Sequence, residues 1–206
     1  MKSQWLSRSG TEDLLLIFGG WALSAVPFAG LNGDRDVLLV DDYTRLDDML
    51  EGLAQYDQVT LLAFSFGVAS AAHWLTQTGF RPDRLIAVSG TLAPAEAERG
   101  IAPEMIRATA DQLTIDSFAK FCHRAGLGGP APEIAIDAAR AELYAVIERG
   151  TAPEHQFDRV WIPNRDRIIP TRAQEIAWAS QQHAVKSIPA SHVPFRSGQD
   201  WGQWIA

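Results

Sequence analysis

The sequence predicts an α/β fold in one domain of 206 residues: a mostly parallel central sheet, helices on both faces, and a helical lid insertion over about 94–154. Three observations carry this. Short continuous apolar runs, suited to strands buried on both faces, alternate with helix-forming segments. The alternation then breaks for a stretch too long for an ordinary connection. Finally, a serine between small residues sits where one strand passes into a helix.

The elements follow in order. Leu14-Leu15-Leu16-Ile17-Phe18 reads as a buried strand and stops at Gly19-Gly20-Trp21. Val37-Leu38-Leu39-Val40 is a second strand, stopped by Asp41-Asp42. Leu46 to Tyr56 reads as a helix, because Leu46, Met49, Leu50 and Leu53 fall on one face. Val59 to Ala63 is the third strand, and Val68 to Thr78 the helix after it, ended by Gly79. Arg84-Leu85-Ile86-Ala87-Val88 is the fourth strand. The insertion offers helices over Pro103–Gln112, Ile115–Ala125 and Pro132–Arg149. Strands resume at Arg159-Val160-Trp161-Ile162. A helix from Thr171 to about Gln182, a last strand at Ala184–Ile188 and a short helix near Trp201 close the chain.

Bulk properties exclude several function classes. A net charge of −7 argues against a nucleic-acid footprint and against broad attraction to anionic membranes. Cys122 is the single cysteine, which excludes an internal disulfide and fits a reducing compartment. The start, Met1-Lys2-Ser3-Gln4-Trp5, lacks the apolar core of a secretion signal, and every apolar run is strand-length. A cytoplasmic location is the expectation.

Ala63-Phe64-Ser65-Phe66-Gly67 has the form of a nucleophile elbow, with Ala63 in place of the usual glycine two residues before the serine. In open α/β sheets, functional groups gather where strands end at their carboxyl termini. The loop after the resumed strand offers Asp166, and the loop after the last strand offers His192. The order Ser65, Asp166, His192 is the order used by α/β-hydrolases. In that chemistry His192 takes the serine proton and returns it to the leaving group, while Asp166 fixes the imidazole tautomer. The backbone N–H groups of Phe66 and Trp21 are the expected oxyanion hole, and Trp21 also lines the acyl pocket. Nothing in this chemistry calls for a metal or an organic cofactor. Asp41 and Asp42 also follow a strand, so either is an alternative acid or an N-cap. His73, His123, His155 and His183 read as surface or packing residues, and Cys122 as a packed thiol.

Over nearly its whole length the chain resembles the α/β-hydrolases and, among them, the small BioG-type pimeloyl-acyl-carrier-protein methyl ester esterases. The likeness rests on Ile17-Phe18-Gly19-Gly20-Trp21, Val37 to Tyr43, Leu62 to Val68, Ala87 to Thr91 with Gly100 to Pro103, Asn164-Arg165-Asp166-Arg167-Ile168, and His192 with Phe195. Phe64 stands where those relatives carry Trp, and Ala22 where they carry Gly. The resemblance implies that Ser65 attacks the ω-methyl ester of a pimeloyl chain borne on acyl carrier protein, with Gly20, Trp21 and Phe64 at the pocket. The carrier is acidic and calls for a basic docking surface. The insertion supplies Arg107, Lys120 and Arg124 as candidates among six basic residues and ten carboxylates. Two alternatives stay open: another carboxylesterase or thioesterase on the same scaffold, and a non-catalytic binding protein.

Overall fold

A computed structural model describes residues 1–47 and 49–206. Among these residues seven strands form one sheet: β1 (Lys2–Ser7), β2 (Asp13–Phe18), β3 (Asp36–Asp41), β4 (Gln58–Phe64), β5 (Arg84–Val88), β6 (Arg159–Pro163) and β7 (Val185–Ile188). They lie in the order β1-β3-β2-β4-β5-β6-β7. Only β1 runs antiparallel to its neighbour; the other pairings are parallel. This is the mostly parallel α/β sheet that the alternating runs predict.

The apolar runs are continuous because both sheet faces are covered. In β2, Leu15 and Ile17 enter one core cluster, and Leu14, Leu16 and Phe18 enter the other, all fully buried. Helix α1 (Gly67–Thr78) covers the second cluster through Val68, Ala71, Trp74 and Leu75. The first cluster receives Ile106 of α2 (Pro103–Asp111), Phe118 of α3 (Ile115–Ala125), Leu143 of α4 (Ile136–Arg149) and Trp204 of α6 (Gly202–Ile205). Local chemistry sets the ends of α3. Thr114 and Ser117 form a reciprocal capping box, and Gly126 ends the helix in the left-handed conformation. Among the described residues no helix is long and apolar enough to cross a membrane.

Four details depart from the sequence reading. Strand β1 is not predicted, because it is an edge strand whose residues are mostly exposed and carry no apolar run. The helix expected over Leu46–Tyr56 does not form. Residue 48 lies outside the described residues; of the others, only Leu53–Gln55 is helical, as a 3-10 turn after Gly52 at φ +80°. Met49 of the expected apolar face is 68% exposed, so burial gives no reward for the helix there. Helix α4 begins at Ile136 rather than Pro132. The helix from Thr171 ends at Ala177 as α5, followed by a 3-10 stretch in which Gln181 leaves helical geometry. The Gln181 side chain bridges the Phe157 N–H and the His155 carbonyl instead.

The sheet order changes direction between β2 and β4: β3 lies on one side of this pair, and β5, β6 and β7 on the other. The crevice beyond the carboxyl ends of two such strands is where ligands bind in open α/β sheets. Phe18 pairs with Ala63, so the loops after β2 and β4 emerge side by side there.

Candidate active site

Ser65 follows β4 directly, at φ +57°. This left-handed conformation costs a non-glycine residue about 1–2 kcal/mol. Hydrogen bonds hold it: the Ser65 N–H donates to the Val88 carbonyl at 2.9 Å, and the Val68 N–H donates to the Ser65 carbonyl at 3.1 Å. Gly67 allows the close approach. A Cβ there would stand 2.3 Å from the Phe18 carbonyl oxygen and 2.5 Å from that of Gly19. On the other side, a Cβ on Gly20 would meet the Phe64 ring at 2.7 Å and Ser65 Cβ at 3.4 Å. The loop after β2 therefore lies against the serine.

The loops after β6 and β7 bring the other two groups. His192 Nε2 lies 2.9 Å from Ser65 Oγ, and His192 Nδ1 lies 2.8 Å from Asp166 Oδ2. An ionised carboxylate only accepts, so Nδ1 carries the proton and Nε2 accepts from the serine hydroxyl. His192 is fully buried, and Ser65 and Asp166 nearly so. Asp166 Oδ1 accepts the Ile168 and Ile169 N–H groups at 2.8 and 3.0 Å. The Phe64 ring packs 5.3 Å from the imidazole, and the adjacent Val193 N–H donates to the Ala125 carbonyl at the end of α3. Asp41 and Asp42 take no part in this row; Asp42 binds Thr44 and Lys2.

The Trp21 and Phe66 N–H groups donate to no protein group among the described residues. Phe66 follows Ser65 in the chain, and Trp21 lines the same cavity. The Trp21 indole donates to the Ala139 carbonyl on α4 at 2.8 Å, and the Tyr43 hydroxyl donates to the Gly19 and Val40 carbonyls at 2.9 and 3.0 Å. Two free donors beside a serine suit an oxygen that gains charge.

A cavity of about 130 Å³ opens on Ser65. Its walls include Trp21, Phe66, Ile106, Phe121, Leu143 and Ile168, with Arg124 and Arg167 as its cationic members. A second groove of about 290 Å³ shares Trp21, Met105, Thr109, Phe121 and Arg124 with it and adds Lys120. Of the expected pocket residues, Trp21 lines the cavity. Gly20 and Phe64 do not: Phe64 is fully buried beneath His192, packed also on Phe28 and Phe195, and Gly20 lies against its ring. Of the basic candidates, Lys120 and Arg124 share the groove, whereas Arg107 lies outside it, near Tyr144 of α4. The insertion's contribution to the walls, from Ile106, Phe121 and Leu143, is invisible in sequence, because it depends on how three helices fold back.

Glu142 of α4 is a buried carboxyl the sequence does not mark. It accepts the Tyr43 N–H at 3.2 Å, while Arg149 donates to the Tyr43 carbonyl at 2.6 Å. Burial, with Asp42 and Asp41 nearby, pushes the Glu142 carboxyl up from 4.5 to about 8. Between those values the folded chain keeps a proton that the unfolded chain has released. The stabilisation is therefore complete below about 4.5 and is lost as pH rises through about 8. Glu142→Gln keeps the acceptor and removes the charge. Thermal denaturation should show its Tm equal to wild type near pH 5 and higher by several degrees near pH 9, roughly as the linkage requires.

Comparison with known proteins follows the same lines. A family model described as pimeloyl-ACP methyl esterase BioG matches residues 1–204. The crystal structure of BioG from Haemophilus influenzae superposes with a TM-score of 0.86 at 28% identity, covering 100% of both chains. A malonyl-[acyl-carrier protein] O-methyltransferase from Bacteroides fragilis is 28% identical over 195 residues, which is 88% of this chain but 39% of that protein. A lipase-esterase related protein from Clostridium acetobutylicum shares the fold at TM-score 0.65 and 13% identity, covering 93% of this chain and 92% of its own.

Proposed function

The chain belongs to the BioG family of pimeloyl-acyl-carrier-protein methyl esterases, and on that premise we propose that it is a serine hydrolase that cleaves the methyl ester of a pimeloyl chain held on acyl carrier protein. The observation that carries the reading is the buried row Ser65–His192–Asp166, with contacts of 2.9 and 2.8 Å, opening on a largely apolar cavity that also holds Arg124 and Arg167.

In this reading Ser65 Oγ attacks the ester carbonyl as its proton passes to His192 Nε2. The carbonyl oxygen, now negative, sits between the Phe66 and Trp21 N–H groups. The tetrahedral adduct collapses, and the C–O bond to the methoxy group breaks. His192 protonates the departing methoxide, which leaves as methanol. Water then enters and attacks the acyl-enzyme as its proton passes to His192, and the adduct collapses as His192 returns that proton to Ser65 Oγ, releasing the carboxylic acid and the free serine. Asp166 stays ionised throughout and stabilises the imidazolium. Lys120 and Arg124 face the acidic carrier, with Arg107 further out on the same helical layer. The reading places the reaction where acyl carrier protein and its chain are soluble, in the cytoplasm.

The test is complementation of a biotin auxotroph lacking its methyl esterase. Wild type should restore growth and Ser65→Ala should not. A soluble wild-type protein that cleaves short p-nitrophenyl esters but fails to complement points instead to a different ester or thioester substrate on the same machinery. Docking is tested separately. Lys120→Glu should raise KM for the carrier-borne ester by roughly tenfold, as a charge reversal at a steering contact does, while changing turnover of p-nitrophenyl acetate little. Equal effects on both substrates remove Lys120 from the docking surface.

A further inference from the structure

Gln174 sits on α5, fully buried, and does not line the cavity that reaches Ser65. Its side-chain amide gives away both hydrogens. Nε2 lies 2.9 Å from Asp166 Oδ2 and 2.8 Å from the Ile169 carbonyl oxygen. Turning the amide over would set Oε1 against a carboxylate and a carbonyl, two acceptors, so its partners fix its orientation. Oε1 itself has no protein partner among the described residues. A buried acceptor without a partner is unfavourable. Packing alone therefore gives no reason for an amide at this place; two hydrogens aimed at the loop of Asp166 do.

The two oxygens of Asp166 are held differently. Oδ1 is fixed by two backbone N–H groups, from Ile168 and Ile169. Among the described residues Oδ2 receives only side chains, His192 Nδ1 at 2.8 Å and Gln174 Nε2 at 2.9 Å. From this geometry, and resting on the assignment of Ser65, His192 and Asp166 above, we propose that Gln174 is a positioning residue for the reaction. It occupies one side of Oδ2, so that the other side stays directed at His192 Nδ1, and its donated hydrogen moderates the negative charge the imidazole faces. Without it the carboxylate pivots about its Oδ1 contacts, and the imidazole loses alignment with Ser65 Oγ. The less compensated carboxylate also holds the imidazolium more tightly, so the base is protonated over a wider acid range and returns its proton less readily.

Gln174→Met removes both donated hydrogens at similar length, and Gln174→Glu keeps the shape while replacing the amide with a group that donates only when protonated. Both are compared with wild type and Ser65→Ala on a short p-nitrophenyl ester across the pH range, with Tm recorded for each. Gln174→Met should lower kcat by roughly 10- to 100-fold, in the range of lost positioning contacts, with KM nearly unchanged and the acid limb of kcat/KM displaced to higher pH. Gln174→Glu should lose most activity at high pH, where two carboxylates face each other, and regain part of it as pH falls and the glutamic acid donates to Oδ2. If Gln174→Met does not fold, the isosteric Gln174→Glu decides by its pH profile. Wild-type kcat and an unshifted profile in the folded variants overturn the proposal, as does a loss of kcat with the profile unchanged, which marks a packing role. Hydrolysis that survives in Ser65→Ala overturns the underlying assignment instead.

Discussion

Asp166→Asn is expected to lower kcat on any ester substrate by about 10⁴-fold, the scale on which a triad acid acts when its tautomer control is lost. The hydrogen bonds around the carboxylate give the reason. All four of its contacts are donors: the Ile168 and Ile169 N–H groups on Oδ1, and Gln174 Nε2 and His192 Nδ1 on Oδ2. Asparagine offers one oxygen and one NH₂. If the oxygen keeps the two backbone donors, the NH₂ faces His192 Nδ1 and drives the imidazole to carry its proton on Nε2. That nitrogen then cannot accept from Ser65 Oγ. The measurement is steady-state kinetics on a p-nitrophenyl ester, with circular dichroism to confirm folding. A folded variant within tenfold of wild type removes Asp166 from the catalytic row.

Gly67→Ala is expected to damage stability and catalysis together. Its Cβ would lie 2.3 and 2.5 Å from two backbone oxygens at the end of β2. Those oxygens belong to Phe18, which is locked in the sheet, and to Gly19, which accepts the Tyr43 hydroxyl. Neither gives way without moving the loop that carries Trp21. Overpacking of this kind costs roughly 1–3 kcal/mol or more, which in a chain of this size lowers Tm by about 5 °C or more. The elbow must open, so Ser65, Phe66 and Trp21 lose their mutual placement. A fall in kcat/KM of roughly 100-fold or more should accompany the Tm loss, since one misplaced oxyanion donor alone has that effect. A thermal melt and a kinetic assay on the same preparation check both, and an unaltered Tm contradicts the packing account.

The grouping of Ser65, His192 and Asp166 is legible because its parts are local. Ser65 lies between a strand and a helix with Gly67 two residues on, and Asp166 and His192 each follow a strand, so chain order alone brings them to one end of a parallel sheet. The buried strands were equally plain, since Leu14 to Phe18 packs on both faces and leaves a continuous apolar run. What sequence hid depends on distant packing. The Leu46 to Leu53 periodicity suggested a helix, but Met49 has no core to face. The resemblance puts Phe64 at the pocket, yet its side chain is fully buried in the core, under His192. Glu142 and Gln174 gave no local signal at all. Each is defined by partners on other elements, Tyr43 for one and Asp166 for the other.

Covalent trapping probes the assignment of Ser65 as the nucleophile. Wild-type protein is treated with a fluorophosphonate, digested and read by mass spectrometry. One phosphonyl adduct is expected, on Ser65, formed at a rate that falls together with ester hydrolysis in Asp166→Asn and absent in Ser65→Ala. An enzyme that hydrolyses esters at full rate with Ser65 unlabelled, or with the adduct on another residue, would contradict it.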